Sequence, residues 1–280
     1  MGDNMLVNMK EMLLNAKKEA KAIPQFNINN LEWTRYILEE SQAKNNPVIL
    51  GVSEGAVKHI GGYKTTVKMI EGLMEDLNIT IPVVIHLDHG SSYDNCIKAI
   101  NAGFTSVMID VTSKPLDENI RITKNIVNYA HPKNVTVEGE IGHIGLTTTE
   151  AIYTDVVSAV NYVKETNVDA LAPAVGSLHG IYLTEPKINF DRIKEISEET
   201  NIPLVLHGGT GIPENTLHQA IKLGICKLNI NTALQVVWAK EVRKYLNENT
   251  DIYDPRKIIN AGESAIKSTV DHYIEFLNRG

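Results

Sequence analysis

The chain has 280 residues, 43% of them hydrophobic and 22% charged. That is an ordinary globular composition, with enough length for a full apolar core. Its formal net charge of −7 argues against general nucleic-acid affinity but leaves room for a local phosphate pocket. No apolar run reaches membrane-spanning length, the charged amphipathic stretch Met1–Ala22 lacks a signal-peptide core, and Cys96 and Cys226 form no CxxC pair; a cytoplasmic protein with buried thiols is expected.

In chain order, the pattern predicts a leading helix over about 6–20 and then one repeating theme: a short apolar strand, a polar or glycine-bearing turn, an amphipathic helix. The strands are predicted at Ala22–Asn27, Pro47–Val52, Val83–His86, Ser106–Ile109, Val135–Gly139, Ala170–Pro173, Leu204–Leu206 and Lys227–Ile230. The helices fall at about 31–44, 64–77, 92–102, 117–131, 155–166, 189–200, 214–223 and 232–247, with a trailing helix at about 261–278. Eight strands alternating with eight helices predict a parallel sheet closed into a (β/α)8 TIM barrel, one domain over 1–280, with an extra N-terminal helix and a C-terminal helical extension. A doubly wound open sheet is the alternative, disfavoured because no GxGxxG follows the first strand.

In a barrel of parallel strands the chemistry sits at the C-terminal strand ends. Polar residues stand at or just past each of them here: Asn27, Ser53, Asp88 with His89, Asp110, Glu138 with Glu140, Gly176–Gly180, His207–Gly211, and Asn229 with Asn231 and Thr232. His89, His179 and His207 come from strands 3, 6 and 7, each followed directly by glycine. Three imidazoles with an open position suit a catalytic zinc, although this wide spacing is not itself a zinc signature and each alone reads better as a hydrogen-bonded rim histidine. His86 is a candidate partner behind the ligands. His59, His131, His143, His218 and His272 read as surface residues. The turns after strands 7 and 8 feed helix N-termini, the usual phosphate cradle of such barrels; Thr210 and Thr232 read equally well as ordinary N-caps.

With these residues in view, the sequence resembles the class II (zinc-dependent) ketose-bisphosphate aldolase family nearly end to end. The motifs are Gln25–Asn30, Pro47–Ala56, His86–Ser91, Gly103–Asp110, Gly176–Gly180 with Glu185–Lys187, Leu206–Pro213, Lys227–Thr232 and Tyr253–Lys257. Tyr253–Lys257 and the run Val52–Gly55 look most like fructose-1,6-bisphosphate aldolases of low-GC bacteria. The resemblance implies His89, His179 and His207 as zinc ligands, Asp110 and Glu140 as supporting or alternative metal ligands, and Asp88 as the acid/base at the C4 hydroxyl. It implies that Gly180, Gly208, Thr210, Asn229, Asn231 and Thr232 hold dihydroxyacetone phosphate, with a monovalent cation (Na+ or K+) nearby. Asn27 would contact a substrate hydroxyl, and Ser53 and Arg256 the far phosphate, Arg256 from a neighbouring subunit of a homodimer or homotetramer.

The implied reaction is glycolytic: aldol cleavage of fructose 1,6-bisphosphate, with zinc stabilising the enediolate. Tagatose 1,6-bisphosphate and 6-phospho-5-dehydro-2-deoxygluconate are the sister substrates, and neither nucleic acid nor membrane is an expected partner. The family pattern is broken at three places. The mobile loop after strand 5, normally carrying an acid pair, is Gly142–Ala151 with Glu150 as its one acid; Ala233 replaces a usual acid; and Val111–Ser113 replaces Gly-Ser-His. These departures keep open a zinc-bearing sugar-phosphate-binding barrel with reduced turnover, against which an intact Asp88 argues. A metal-dependent hydrolase is a third reading. Lys187 is a further candidate for electrostatic help. The trailing helix, apolar at helical spacing, can pack on its own barrel or on a partner.

Overall fold

The computed structural model describes residues 5–142, 153–182 and 186–279. Eight parallel strands close into a barrel in chain order: β1 (Ile23–Asn27), β2 (Val48–Ser53), β3 (Val83–Gly90), β4 (Ser106–Ile109), β5 (Thr136–Ile141), β6 (Ala170–Pro173), β7 (Leu204–Leu206) and β8 (Ile225–Ile230). Helix α1 (Lys10–Lys18) precedes them. The surrounding helices are α2 (Leu31–Ala43), α3 (Glu54–Ile60), α4 (Tyr63–Asp76), α5 (Tyr93–Ala102), α6 (Leu116–Ala130), α7 (Val156–Thr166), α8 (Phe190–Thr200), α9 (Glu214–Lys222) and α10 (Thr232–Glu248). Helices α11 (Pro255–Asn260) and α12 (Glu263–Asn278) end the chain.

Short polar side chains start the helices. Asn30, Ser92, Asp155 and Asn189 each accept a hydrogen bond from a backbone N–H three residues on, opening α2, α5, α7 and α8. The helices bury one apolar face on the outward-facing strand residues; α2, for example, covers its stretch of barrel with Trp33, Tyr36, Ile37 and Leu38. The expected trailing helix is α12. It buries Ile266, Val270, Ile274, Phe276 and Leu277 on this chain's own α2, α10 and β1.

The barrel interior changes character along its axis. At the N-terminal mouth, Met9 and Leu13 of the α1 segment join Ile49, Val84, Ala170, Ala172 and Val205 in a buried apolar cluster that closes the floor. Nearer the C-terminal mouth, alternate inward positions are polar and still buried: Gln25, Asn27, His86, Asp88, Glu138, Glu140, Lys227 and Asn229. Parallel register sets these side by side, with Gln25 against Asn229 and Ser53 against Asp88. Gly51 leaves room for this layer, because a Cβ there would lie 2.4 Å from Gln25 Nε2.

The element boundaries differ from expectation in an instructive way. β3 and β5 run on to Gly90 and Ile141, so Asp88, His89 and Glu140 lie within strands rather than beyond them. β8 begins at Ile225, which puts Lys227 inside it. An apolar run was expected to end where charge begins, but inward residues of the upper barrel face other polar groups. The leading helix starts at Lys10, not at 6, because Val7 pairs with Val83 of β3 through its N–H at 2.9 Å. Helices α3 and α11 were not expected; Ser53 and Asp254 cap them. Among the described residues, no helix is long and apolar enough to cross a membrane.

Candidate active site

A cleft of about 200 Å³ opens at the C-terminal mouth. It gathers residues from six strand ends: Asn27, Ser53, Asp88 and His89, His179 and Gly180, Gly208 and Thr210, and Asn229, Asn231 and Thr232. A larger cavity of about 670 Å³ lies at the opposite mouth against α1, away from the histidines.

His89 and His179 line this cleft and meet the fully buried His207 behind its wall. Ring centroids are 4.7 Å apart for His89 and His207, 4.9 Å for His89 and His179, and 5.7 Å for His179 and His207. One nitrogen from each lies within 4.8 Å of the others. His89 reaches this position from a register shift between Leu87 and Gly90, with φ at 50°. A left-handed histidine is strained, and such strain concentrates at functional sites.

The hydrogen bonds behind the rings settle which nitrogens face inward. His207 donates Nε2–H to Glu138 Oε1 at 2.9 Å, and His89 donates Nδ1–H to Asp110 Oδ2 at 3.1 Å. Their remaining nitrogens, His207 Nδ1 and His89 Nε2, face each other at 3.0 Å. Two neutral lone pairs at that distance repel unless a proton or a metal ion joins them. Tetrahedral zinc with nitrogens at about 2.0–2.1 Å holds its donors roughly 3.4 Å apart, close to this spacing. Carboxylates gripping the outer nitrogens are the usual backing of metal-bound histidines. The donor set therefore fits zinc. Glu140, 2% exposed, puts Oε2 3.9 Å from His89 Nδ1, so His89, Asp110 and Glu140 form a second possible ligand group.

The electrostatics agree. Burial alone would lower the His89 pKa, but Asp88, Asp110 and Glu140 together raise it to about 9. The protein without metal thus holds a cation where the lone pairs converge. His179 is pushed down to about 3 by burial and by His207 and His89, leaving it neutral as a ligand must be. Asp110 sits at about 2: burial opposes ionisation, but the His89 contact and Thr112 bonds outweigh it.

Asp88 is 6% exposed. Asn27 donates Nδ2–H to its Oδ2 at 2.7 Å, and Asn229 donates to its Oδ1 at 3.3 Å. Burial alone would raise its pKa, but the charges of His89, His207 and Lys227 and the Asn27 bond hold it below the usual carboxylate range. It is an ionised carboxylate, aimed by two amides, beside His89 and His207.

Gly176, Gly180, Gly208 and Gly211 all have positive φ. At Gly208 (φ 69°) a Cβ would lie 2.1 Å from the Leu178 carbonyl oxygen. Gly208→Ala is therefore expected to lower stability by about 1–3 kcal/mol through forced backbone strain, read as a shift in the urea unfolding midpoint. Thr210 and Thr232 do not cap their own helices: Pro213 holds the α9 cap position, and Thr232 is the first residue of α10. Instead Thr210 Oγ1 accepts from Ala233 N–H at 3.2 Å, tying the β7 turn to the α10 N-terminus. Ser53 accepts from Ala56 N–H at 3.2 Å at the start of α3.

Two expected contributors lie elsewhere. Arg256 is not among the cleft residues; its side chain is 86% exposed and clamps Asp254 with Nε and Nη2 at 3.0 and 2.9 Å. It sits on α11, outside the barrel, so the chain by itself does not bring it to the cleft. Lys187 is exposed and does not line the cleft. His143, Glu150 and Glu185 lie outside the described residues. His131 and His218 are half-buried rather than plain surface groups, His131 bonded to Asp169 at 2.9 Å and His218 packed on Phe276. His86 is fully buried, with Nδ1 2.8 Å from Ser106 Oγ and Nε2 3.6 Å from Glu138. Cys96 and Cys226 are buried and free.

Sequence reasoning gave no role to Lys227. It is fully buried, with Nζ 2.9 Å from Glu138 Oε2. The signal available was a lone lysine inside an apolar strand, with a glutamate at an inward position of another strand.

Comparisons with known proteins show the family and the fold. The family model described as "Fructose-bisphosphate aldolase class-II" matches residues 7–280. Fructose-bisphosphate aldolases of Staphylococcus aureus and Geobacillus stearothermophilus are 54% and 53% identical over 270 residues, covering 95% of this chain and 94% of each relative. Among solved structures, the YdjI aldolase of Escherichia coli K12 superposes with a TM-score of 0.85 at 30% identity, over 98% of this chain and 97% of that one. The fructose-bisphosphate aldolase of Campylobacter jejuni, at 22% identity, shares the fold with a TM-score of 0.83 over 96% of this chain and 94% of its own. The chain belongs to the class II fructose-bisphosphate aldolase family.

Proposed function

We propose that the chain is a zinc-dependent aldolase. It cleaves fructose 1,6-bisphosphate to dihydroxyacetone phosphate and glyceraldehyde 3-phosphate and runs the reverse condensation. The observation that carries this reading is the pair of inward nitrogens on His89 and His207, each backed by a carboxylate, beside the oriented Asp88. His89, His179 and His207 would hold the metal, with Asp110 and Glu140 behind or alternating with them. Zinc, when bound, supplies Lewis-acid stabilisation of the negative charge left on the three-carbon half.

The chain's own residues do the rest. Asp88 takes the C4 hydroxyl proton as the C3–C4 bond breaks, and returns it in the condensation. Asn27 and Asn229 aim that carboxylate, and Asn27 also contacts a substrate hydroxyl. Gly180, Gly208, Thr210, Asn231 and Thr232 line the cleft where α10 begins, and the dipole of that helix favours a phosphate there. A sodium or potassium ion beside that phosphate is part of the proposal. Ser53 serves the far phosphate, and Arg256, exposed on its own chain, serves it from a second copy in a homo-oligomer. The work belongs in the cytoplasm.

The test is kcat/KM for fructose 1,6-bisphosphate against tagatose 1,6-bisphosphate and 6-phospho-5-dehydro-2-deoxygluconate. Fructose 1,6-bisphosphate is expected to lead. A lead for either of the others would reassign the substrate, and tight binding of all three without cleavage would make the barrel a binding protein.

A further inference from the structure

Below the cleft, buried polar groups connect the two halves of the site through one side chain. Lys227 Nζ donates to Asn229 Oδ1 at 2.8 Å and lies 2.9 Å from Glu138 Oε2. Glu138 accepts from His207 Nε2–H at 2.9 Å, and Asn229 donates to Asp88 Oδ1 at 3.3 Å. Lys227, Glu138 and His207 are all fully buried.

We propose that Lys227 is the positioning residue for both functions of the site, orienting the metal ligand His207 through Glu138 and the proton acceptor Asp88 through Asn229. The inference rests on the aldolase reading above.

Each arm has a physical reason. An asparagine amide can present oxygen or nitrogen to a neighbour. An ammonium on Asn229 Oδ1 forces the NH2 end toward Asp88; the flipped amide would set its oxygen against a carboxylate and its NH2 against a cation. Gln25 performs the same service for Asn27, donating Nε2–H to Asn27 Oδ1 at 3.4 Å. On the other arm, the ion pair holds Glu138 so that Oε1 faces His207 Nε2. That bond places the ring proton on Nε2 and leaves Nδ1 to face the site. A buried ion pair contributes little net stability compared with apolar packing. Its effect here is direction: one cation fixes the donor–acceptor sense of two hydrogen-bond chains.

The test uses the full chain as wild type, Lys227→Met, and the double variant Lys227→Met with Glu138→Gln. Zinc affinity is measured by chelator competition, and kcat and KM at saturating zinc. Lys227→Met leaves Glu138 uncompensated and is expected to lose zinc affinity by roughly 10–100-fold, the usual effect of removing a group behind a ligand. The double variant removes both charges and keeps a carbonyl oxygen to accept from His207. Its zinc affinity should return to within about threefold of wild type, while kcat stays at least tenfold down, because Asn229 has lost its orienting cation. KM should change little. If Lys227 only balances the Glu138 charge, the double variant recovers kcat as well as zinc, and that result overturns the proposal. So does a folded Lys227→Met variant with wild-type zinc affinity. If Lys227→Met fails to fold, the double variant decides alone. Wild type separates the two readings: wild type that binds zinc and cleaves, matched by the double variant, refutes only the role of Lys227. Wild type without zinc or cleavage refutes the aldolase reading, and the proposal falls with it.

Discussion

Asp88→Ala is expected to lower kcat for fructose 1,6-bisphosphate cleavage by about 10²–10⁴-fold, the range a positioned acid/base contributes, while zinc stays bound. The carboxylate is 6% exposed and its oxygens are taken up by the Asn27 and Asn229 amides. Its direct partners are those two donors and the charges nearby, not the outward nitrogens of His89 and His207, which Asp110 and Glu138 hold. Truncation therefore removes the proton acceptor and spares the backing of the ligands. Steady-state kinetics beside zinc counting on the same protein reads both. Cleavage within tenfold of wild type would remove Asp88 from the chemistry; loss of zinc would make it part of the metal site.

His179→Ala acts on the opposite side of that division. His179 is half-buried and, unlike His207, is not tied into the Glu138–Lys227 network beneath the site. Its removal should disturb folding little. It takes away one of three neutral nitrogens, and since zinc sites held by a full set of protein ligands are worth about 10–16 kcal/mol, the loss of one is expected to weaken zinc binding by roughly 10²-fold or more. Cleavage should fall in step at limiting zinc and partly recover when zinc is raised. The melting temperature of the zinc-free variant should match that of zinc-free wild type within a few degrees. Unchanged zinc affinity would leave His89, Asp110 and Glu140 as the metal site.

The barrel and its working mouth were legible in the sequence because strand and helix patterns alternate without interruption and polar residues recur where the apolar runs stop. β3 and β5 were read too short for the same reason. Asp88, His89 and Glu140 look like loop residues when charge is taken as the end of a strand; they belong to strands whose inward positions face each other instead of solvent. Lys227 shows the limit most plainly. A buried lysine is intelligible only once Glu138 from β5 and Asn229 from its own strand are seen within 3 Å of it, and no local pattern announces a partner that far away in the chain. The short helices were missed because seven and six residues are too few for a helical period to show, though Asp254 followed by Pro255 is a cap signature that was available. Arg256 reads as a site residue by resemblance, and its place on the outside of α11 makes that role depend on a second copy.

The central claim is that these three histidines hold a catalytic zinc. The most direct measurement is metal content and fructose 1,6-bisphosphate cleavage on one sample of wild type, before chelation, after it, and after zinc is returned. The account predicts about one zinc per chain, as a single site with three protein ligands requires, cleavage lost on chelation, and cleavage restored by zinc. Full cleavage by protein stripped of its metal would contradict it.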